Sequence, residues 1–236
     1  MANPYFKFKK FTIWHDKCAM KVGTDGVLLG AWANVDGCVN MLDVGTGTGL
    51  IALMLAQRCQ ANIDAIDIDM DACFQAKENI ESSPFALQID IHHISFLEYV
   101  TRTNKKYDLI VSNPPYFTDS LKCPDKKRTV ARHTDSLVLS DLINGCCKLL
   151  SSGGRIALIV PFDKKEELTD IANSCQLYAI RTTHVIPVPE AAPKRLLVEY
   201  TNVPTPTCQE NALVIEEARH QYTPEFKVLT KDYYLK

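Results

Sequence analysis

Met41-Leu42-Asp43-Val44-Gly45-Thr46-Gly47-Thr48-Gly49-Leu50 is the stretch on which the fold turns. Val39 to Val44 is a short apolar run of strand length, and Leu50 to Cys59 is rich in strong helix formers. Between them three glycines alternate, and glycine accepts the left-handed backbone that a tight strand-to-helix turn needs. Working outward, the same alternation repeats. Asn62 to Asp67, Leu87 to Ile91, Tyr107 to Ser112 and Arg155 to Val160 read as strands. Met70 to Ile80, Leu137 to Leu150 and Asp163 to Cys175 read as helices, the last with Asp163 and Glu166 placed as a capping box. Leu177 to Val188 and Arg195 to Thr201 have no helix between them and are expected to pair antiparallel across the proline-rich turn at 187–193. The expectation is an α/β chain with a seven-stranded, mostly parallel sheet, helices on both faces and an antiparallel last strand.

The fourth of these strands ends in Asn113-Pro114-Pro115-Tyr116. Neither proline has an N–H for the ladder, so the strand stops there and presents an amide, bare carbonyls and an aromatic ring at its carboxyl end. In open α/β sheets ligands bind at that edge. Ahead of the first sheet strand, Phe6, Phe8, Phe11 and Ile13 predict an extended start. Thr24 to Trp32 predicts a helix capped by Thr24 or Asp25. Residues 1–35 therefore form an extension to one domain spanning 1–236, and 117–136, with weak periodicity and clustered charge, read as a mobile loop beside the site.

The formal charge of −2 carries no global basic signature, so any nucleic-acid contact must come from local patches. Two are present. Lys7, Lys9, Lys10, Lys17 and Lys21 stand against the single acid Asp16, and Lys122, Lys126, Lys127, Arg128 and Arg132 follow the tetrapeptide against Asp119 and Asp125. The nine cysteines include no Cys-x-x-Cys pair, and His92-His93 reads as a strand end; reduced thiols and no metal site are expected. The N-terminus lacks the apolar segment of a signal peptide, and the longest apolar stretches fall short of the roughly 20 residues of a membrane span, so a cytoplasmic protein is expected, with a monomer favoured.

The glycine turn is not the Gly-x-Gly-x-x-Gly of a dinucleotide site and has no P-loop lysine. An acidic residue followed by alternating glycines resembles the first motif of class I S-adenosylmethionine-dependent methyltransferases. That resemblance implies S-adenosylmethionine as cofactor. Asp43 would hold its amino group, directly or through water, and Gly45, Thr46, Gly47 and Gly49 would line its methionine arm. Asp67 at the end of the second strand can accept both ribose hydroxyls, with Asp69 as the alternative acid and Ile68 against the adenine face. Ser95 stands where the family commonly has an aspartate for the adenine amino group, and Phe96 either stacks or packs.

The tetrapeptide matches the signature of methyltransferases acting on an amino nitrogen conjugated to a π system. Such a nitrogen is a poor nucleophile. Acceptors at the Asn113 side chain and the Pro114 carbonyl would hold its two N–H groups and aim its lone pair, with Pro115 fixing the turn and Tyr116 stacking on the planar group. The chain as a whole resembles the bacterial tRNA (valine isoacceptor) adenine-N6-methyltransferases. The resemblance is carried by Asp16 to Trp32, by Ala131-Arg132-His133, and by Tyr222 to Phe226 with Leu229 to Leu235. It implies methylation of adenine 37 in the anticodon stem-loop, with Thr24 and Asp25 near the methionine end of the cofactor. The two basic patches would then contact RNA phosphates through Lys7, Lys9, Lys10, Lys122, Lys126, Lys127, Arg128 and Arg132. A glutamine methyltransferase of release factors, a guanine methyltransferase of ribosomal RNA and a non-catalytic RNA-binding module are the competing readings.

Overall fold

The computed structural model describes residues 3–18, 21–115 and 137–235. The chain opens with a hairpin of β1 (Tyr5–Lys7) and β2 (Thr12–Trp14), followed by α1 (Thr24–Trp32). Strands and helices then alternate through β3 (Asn40–Val44), α2 (Leu50–Ala56), β4 (Asn62–Asp67), α3 (Met70–Glu81), β5 (Ile89–His93), α4 (Phe96–Arg102) and β6 (Tyr107–Ser112). After α5 (Leu139–Leu149) come β7 (Leu150–Pro161), α6 (Lys165–Ser174), β8 (Tyr178–Ile186), β9 (Arg195–Thr201) and β10 (Gln209–Val214). A small hairpin, β11 (Glu216–Ala218) and β12 (Gln221–Tyr222), leads to α7 (Pro224–Thr230).

The central sheet runs β10-β8-β9-β7-β6-β3-β4-β5. Strand β9 is antiparallel to both of its neighbours, and the other pairings are parallel. The sheet thus has eight strands rather than seven. The extra one, β10, adds to the β8 edge through Gln209↔Arg181 to Val214↔Ile186. Its first four residues are exposed, so it lacks the apolar run that marks the inner strands.

The period of two along each strand splits the core between the two faces. Met41, Ile63, Leu109, Val111 and Ile159 point to one side, under α1, α2 and α3. Leu42, Ile66, Ile110, Leu158 and Val160 point to the other, under α4, α5 and α6. All seven residues of α2 are buried, because α1 crosses its outer side. This accounts for its lack of a polar stripe.

Two caps differ from expectation. Thr24 and Asp25 lie inside α1, whose N-cap is Gly23 with no side-chain bond. The Asp163 box does not form either, since the chain first makes a 3-10 turn over Phe162–Lys164 and the α-helix starts only at Lys165. Helix α4 was not expected at all; it is short and is capped by Ser95, whose Oγ accepts the Glu98 N–H at 3.3 Å.

Candidate active site

The register of the inner strands brings the motifs together. Val44 pairs with Ile66 in β3–β4 and with Ser112 in β3–β6. One residue later Gly45 and Asn113 leave the sheet beside Asp67, the last residue of β4, at the carboxyl edge. Ser112 Oγ donates to the Val44 carbonyl at 2.8 Å, which ties the two strand ends where they diverge.

Gly45 and Gly47 adopt φ of +73° and +56°, a left-handed backbone costly for other residues. A Cβ built on either would meet no atom of the described residues within 4 Å, so among them the loop borders open space. Asp43, at the strand end below, is fully buried. Its Oδ2 accepts the Thr46 hydroxyl at 2.6 Å and the Ala52 N–H at 3.2 Å, while Oδ1 is buried with no hydrogen-bond partner among the described residues. Burial pushes this carboxyl up to about 7 against those two donors. A cationic group at Oδ1 would restore its charge. The orphaned acceptor and the open space above the glycines fit the ammonium and the arm of a methionine-like ligand.

Asp67 bridges the loop to the next strand. Its Oδ2 accepts the Gly47 N–H at 2.8 Å and its Oδ1 the Asp69 N–H at 2.9 Å. Burial raises its carboxyl despite these donors. Each oxygen keeps a lone pair for a hydroxyl. Asp69 is occupied differently, capping α3 through the Asp71 and Ala72 N–H groups. Ile68 stands 52% exposed at the rim, where an apolar ring can lie on it.

Ser95 and Phe96 are placed by α4. Ser95 follows β5 one residue after Ile94, whose N–H donates to the Asp67 carbonyl at 2.9 Å, and its hydroxyl caps the helix. Phe96 packs: it is 6% exposed in the core on the α5 side, so close to Gly145 that a Cβ there would approach its ring to 2.4 Å. Its ring is therefore in the interior, not on the ligand edge.

Asn113, Pro114 and Pro115 line a cleft of about 660 Å³ together with Asp25, Phe162 and Arg195. Asp25 reaches it from the first turn of α1, and Thr24 is exposed one residue before. Arg195, at the start of β9, donates through Nε to Asp25 Oδ2 at 2.7 Å. Phe162 and Arg195 carried no local signal in the sequence; only the adjacency of β7 and β9 brings them to Asn113. Tyr116, Lys122, Lys126, Lys127, Arg128 and Arg132, and the loop expected over 117–136, lie outside the described residues.

Lys9 and Lys10 do not line this cleft. Lys9 and Lys10 line a separate depression with Val35, Asp36, Arg58 and Asp232, next to the amino end of β3 and the C-terminal end of α2. Lys9 Nζ donates to the Lys231 carbonyl. The hairpin packs against the C-terminal segment, through Phe8, Phe11 and Tyr234, and this draws its lysines to the opposite edge of the sheet. Lys7 is exposed on β1. Among the described residues no group of three or more His, Cys, Asp or Glu could hold a metal, and no helix is long and apolar enough to cross a membrane.

The methyltransferase small domain family matches residues 26–185. A tRNA1(Val) (adenine(37)-N6)-methyltransferase of Parabacteroides distasonis is 61% identical over 236 residues, covering all of both chains. One of the same name from Bacteroides fragilis (strain YCH46) is 52% identical over 237 residues, again over all of both chains. Among solved structures, a predicted O-methyltransferase of Agrobacterium tumefaciens superposes with a TM-score of 0.69 at 18% identity, covering 89% of this chain and 96% of that one; at such identity the likeness shows the fold alone. The chain thus uses S-adenosylmethionine and belongs to the methyltransferase small domain family and, within it, to the tRNA1(Val) (adenine(37)-N6)-methyltransferases.

Proposed function

We propose that the chain methylates N6 of adenine 37 in the anticodon loop of a valine tRNA. The observation that carries this reading is the Val44↔Ser112 register, which sets Asn113 beside the glycine loop at one edge of the sheet. The relatives' names supply the base and its position.

Bound over the glycine loop, S-adenosylmethionine supplies an electrophilic methyl on a sulfonium. The chain supplies placement. Gly45 and Gly47 let the backbone come close to the ligand, while Gly49, backed by Ala76 and Ile80 of α3, lets the loop pack onto that helix; Thr46 holds Asp43, Asp43 takes the ammonium, Asp67 takes the ribose hydroxyls and Ile68 backs the adenine. Thr24 and Asp25 stand at the methionine end. The Asn113 amide oxygen and the Pro114 carbonyl accept the two N–H groups of the target amine. That favours a more tetrahedral nitrogen and points its lone pair at the methyl group. No side chain needs to remove a proton beforehand, because the N–H becomes acidic once nitrogen carries positive charge. Tyr116 stacks on the extruded base, and the basic run from Lys122 to Arg132 meets backbone phosphates.

The test is nucleoside mass spectrometry of total tRNA after incubation with the protein and labelled cofactor, followed by fragment mapping. N6-methyladenosine at position 37 of a valine tRNA is the expected product. An unlabelled tRNA pool alongside label on a release-factor glutamine would move the substrate to a side-chain amide.

A further inference from the structure

Asn79, on α3, is 1% exposed. Its Nδ2 donates to the Trp14 carbonyl and to the Thr48 carbonyl, each at 2.9 Å, and its Oδ1 accepts the Trp14 N–H at 2.9 Å. One turn earlier on the same helix face, Gln75 is also 1% exposed and accepts the Lys17 N–H at 3.0 Å. Trp14 ends β2 of the N-terminal hairpin. Thr48 lies between Gly47 and Gly49 of the cofactor loop. A single buried amide is therefore shared by the two segments.

A buried amide is costly unless its donors and acceptor are met. Asn79 meets them only when the hairpin and the glycine loop are both in place. From Trp14 the chain passes Lys17, held by Gln75, and enters α1, whose first turn brings Asp25 into the cleft beside Asn113. Anything that orders the Thr48 carbonyl also orders Asn79, and through it the backbone of Trp14. By linkage the reverse holds: a loosened hairpin weakens binding at the loop.

We propose that Asn79 is a positioning residue that joins the N-terminal segment and the cofactor loop into one unit, so that cofactor binding firms the segment that delivers Asp25 to the cleft. This rests on the reading of the glycine loop as the cofactor's seat.

The experiment is amide hydrogen exchange by NMR on the full chain, with and without S-adenosylhomocysteine. In the unmodified protein the ligand is expected to slow exchange both at residues 45–49 and at Trp14. In Asn79→Ala the loop still responds and Trp14 does not, while KM for S-adenosylmethionine rises about tenfold and kcat stays within about twofold. Gln75→Met releases Lys17 without touching Thr48 and leaves the Trp14 response in place. Loop amides that slow while Trp14 stays unchanged in the unmodified protein overturn the coupling, even if the alanine variant fails to fold. An Asn79→Ala protein with unaltered KM and an intact Trp14 response overturns it as well. Ligand binding without any response at residues 45–49 overturns the reading of the loop itself, and the coupling with it.

Discussion

Arg195 Nε lies 2.7 Å from Asp25 Oδ2, joining the first residue of β9 to the first turn of α1 across 170 positions of sequence. The pair closes one wall of the cleft that holds Asn113. Both side chains are only about a third exposed, so the bond is partly shielded from solvent. Removing Arg195 leaves Asp25 without its partner in the cleft that holds Asn113. Arg195→Ala is expected to lower kcat/KM for tRNA about tenfold, and adding Asp25→Asn should recover part of that loss. A double-mutant cycle measures the coupling; strictly additive losses would show that the two residues act separately.

Asn113 is asked to orient the amine and not to bind the cofactor tightly. Asn113→Ala should cut kcat by about a hundredfold or more while leaving the affinity for S-adenosylhomocysteine within about twofold. Calorimetry and single-turnover kinetics separate the two quantities. Turnover close to that of the unmodified enzyme would end the role assigned to the amide.

Asp43 must be ionised to take an ammonium, and burial raises its carboxyl to about 7. Below that pH more of the free protein carries the protonated, neutral acid. Affinity for S-adenosylhomocysteine should therefore tighten as pH rises from about 6 to about 7, by up to several-fold. The same titration on Asp43→Asn should be flat. A flat profile in the unmodified protein would remove Asp43 from ligand binding.

A stability switch lies away from the site. His92 Nε2 meets Asp64 Oδ1 at 3.3 Å, while Lys105 Nζ and Tyr107 Oη each reach Asp64 Oδ2 at 2.6 Å. Burial alone would raise the Asp64 carboxyl, but these three donors outweigh it and hold it below the usual range. The hydrogen bond to Asp64 raises His92. The His92 contribution is complete below its unfolded pKa of about 6.5 and is lost as pH climbs through the higher folded value; that of Asp64 is complete above about 4 and is lost in acid. The imidazole is 41% exposed, so the effect is screened. Replacing His92 with Ala should lower Tm by about one to two degrees near pH 5.5 and by less near pH 8. Equal shifts at both pH values would rule the pair out.

The placement of Lys9 and Lys10 away from the cleft separates the two basic patches by experiment. Neutralising Lys126, Lys127 and Arg128 should weaken tRNA binding and reduce its log–log salt slope by about 0.7 per lost contact. Replacing Lys9 and Lys10 with alanine should leave the slope unchanged. Filter binding across a salt series checks both, and a slope insensitive to the first set would take that segment off the RNA path.

Much of this was legible in local sequence. Asn62 to Asp67 and Tyr107 to Ser112 are strands over those very residues. The pairing of β8 and β9 follows from the absence of a helix between them. What was not legible had no local signal. Strand β10 is exposed along most of its length and is a strand only because β8 offers an open edge. Phe96 could stack or pack by sequence, and it packs because Gly145 leaves a place for its ring. The lysines of the N-terminus looked like part of the site because charge can be counted along a chain but its direction cannot.

From the sequence alone came the order of elements, the glycine turn under an acid, and the strand stopped by two prolines. These depend on backbone preferences of a few adjacent residues, which any window reveals. Only the tertiary structure decided which residues meet: Arg195 with Asp25, Asn79 with both Trp14 and Thr48, and Lys9 with the far edge of the sheet. Those contacts join positions 31 to 222 residues apart, and their partners are chosen by strand register and by which helix covers which face.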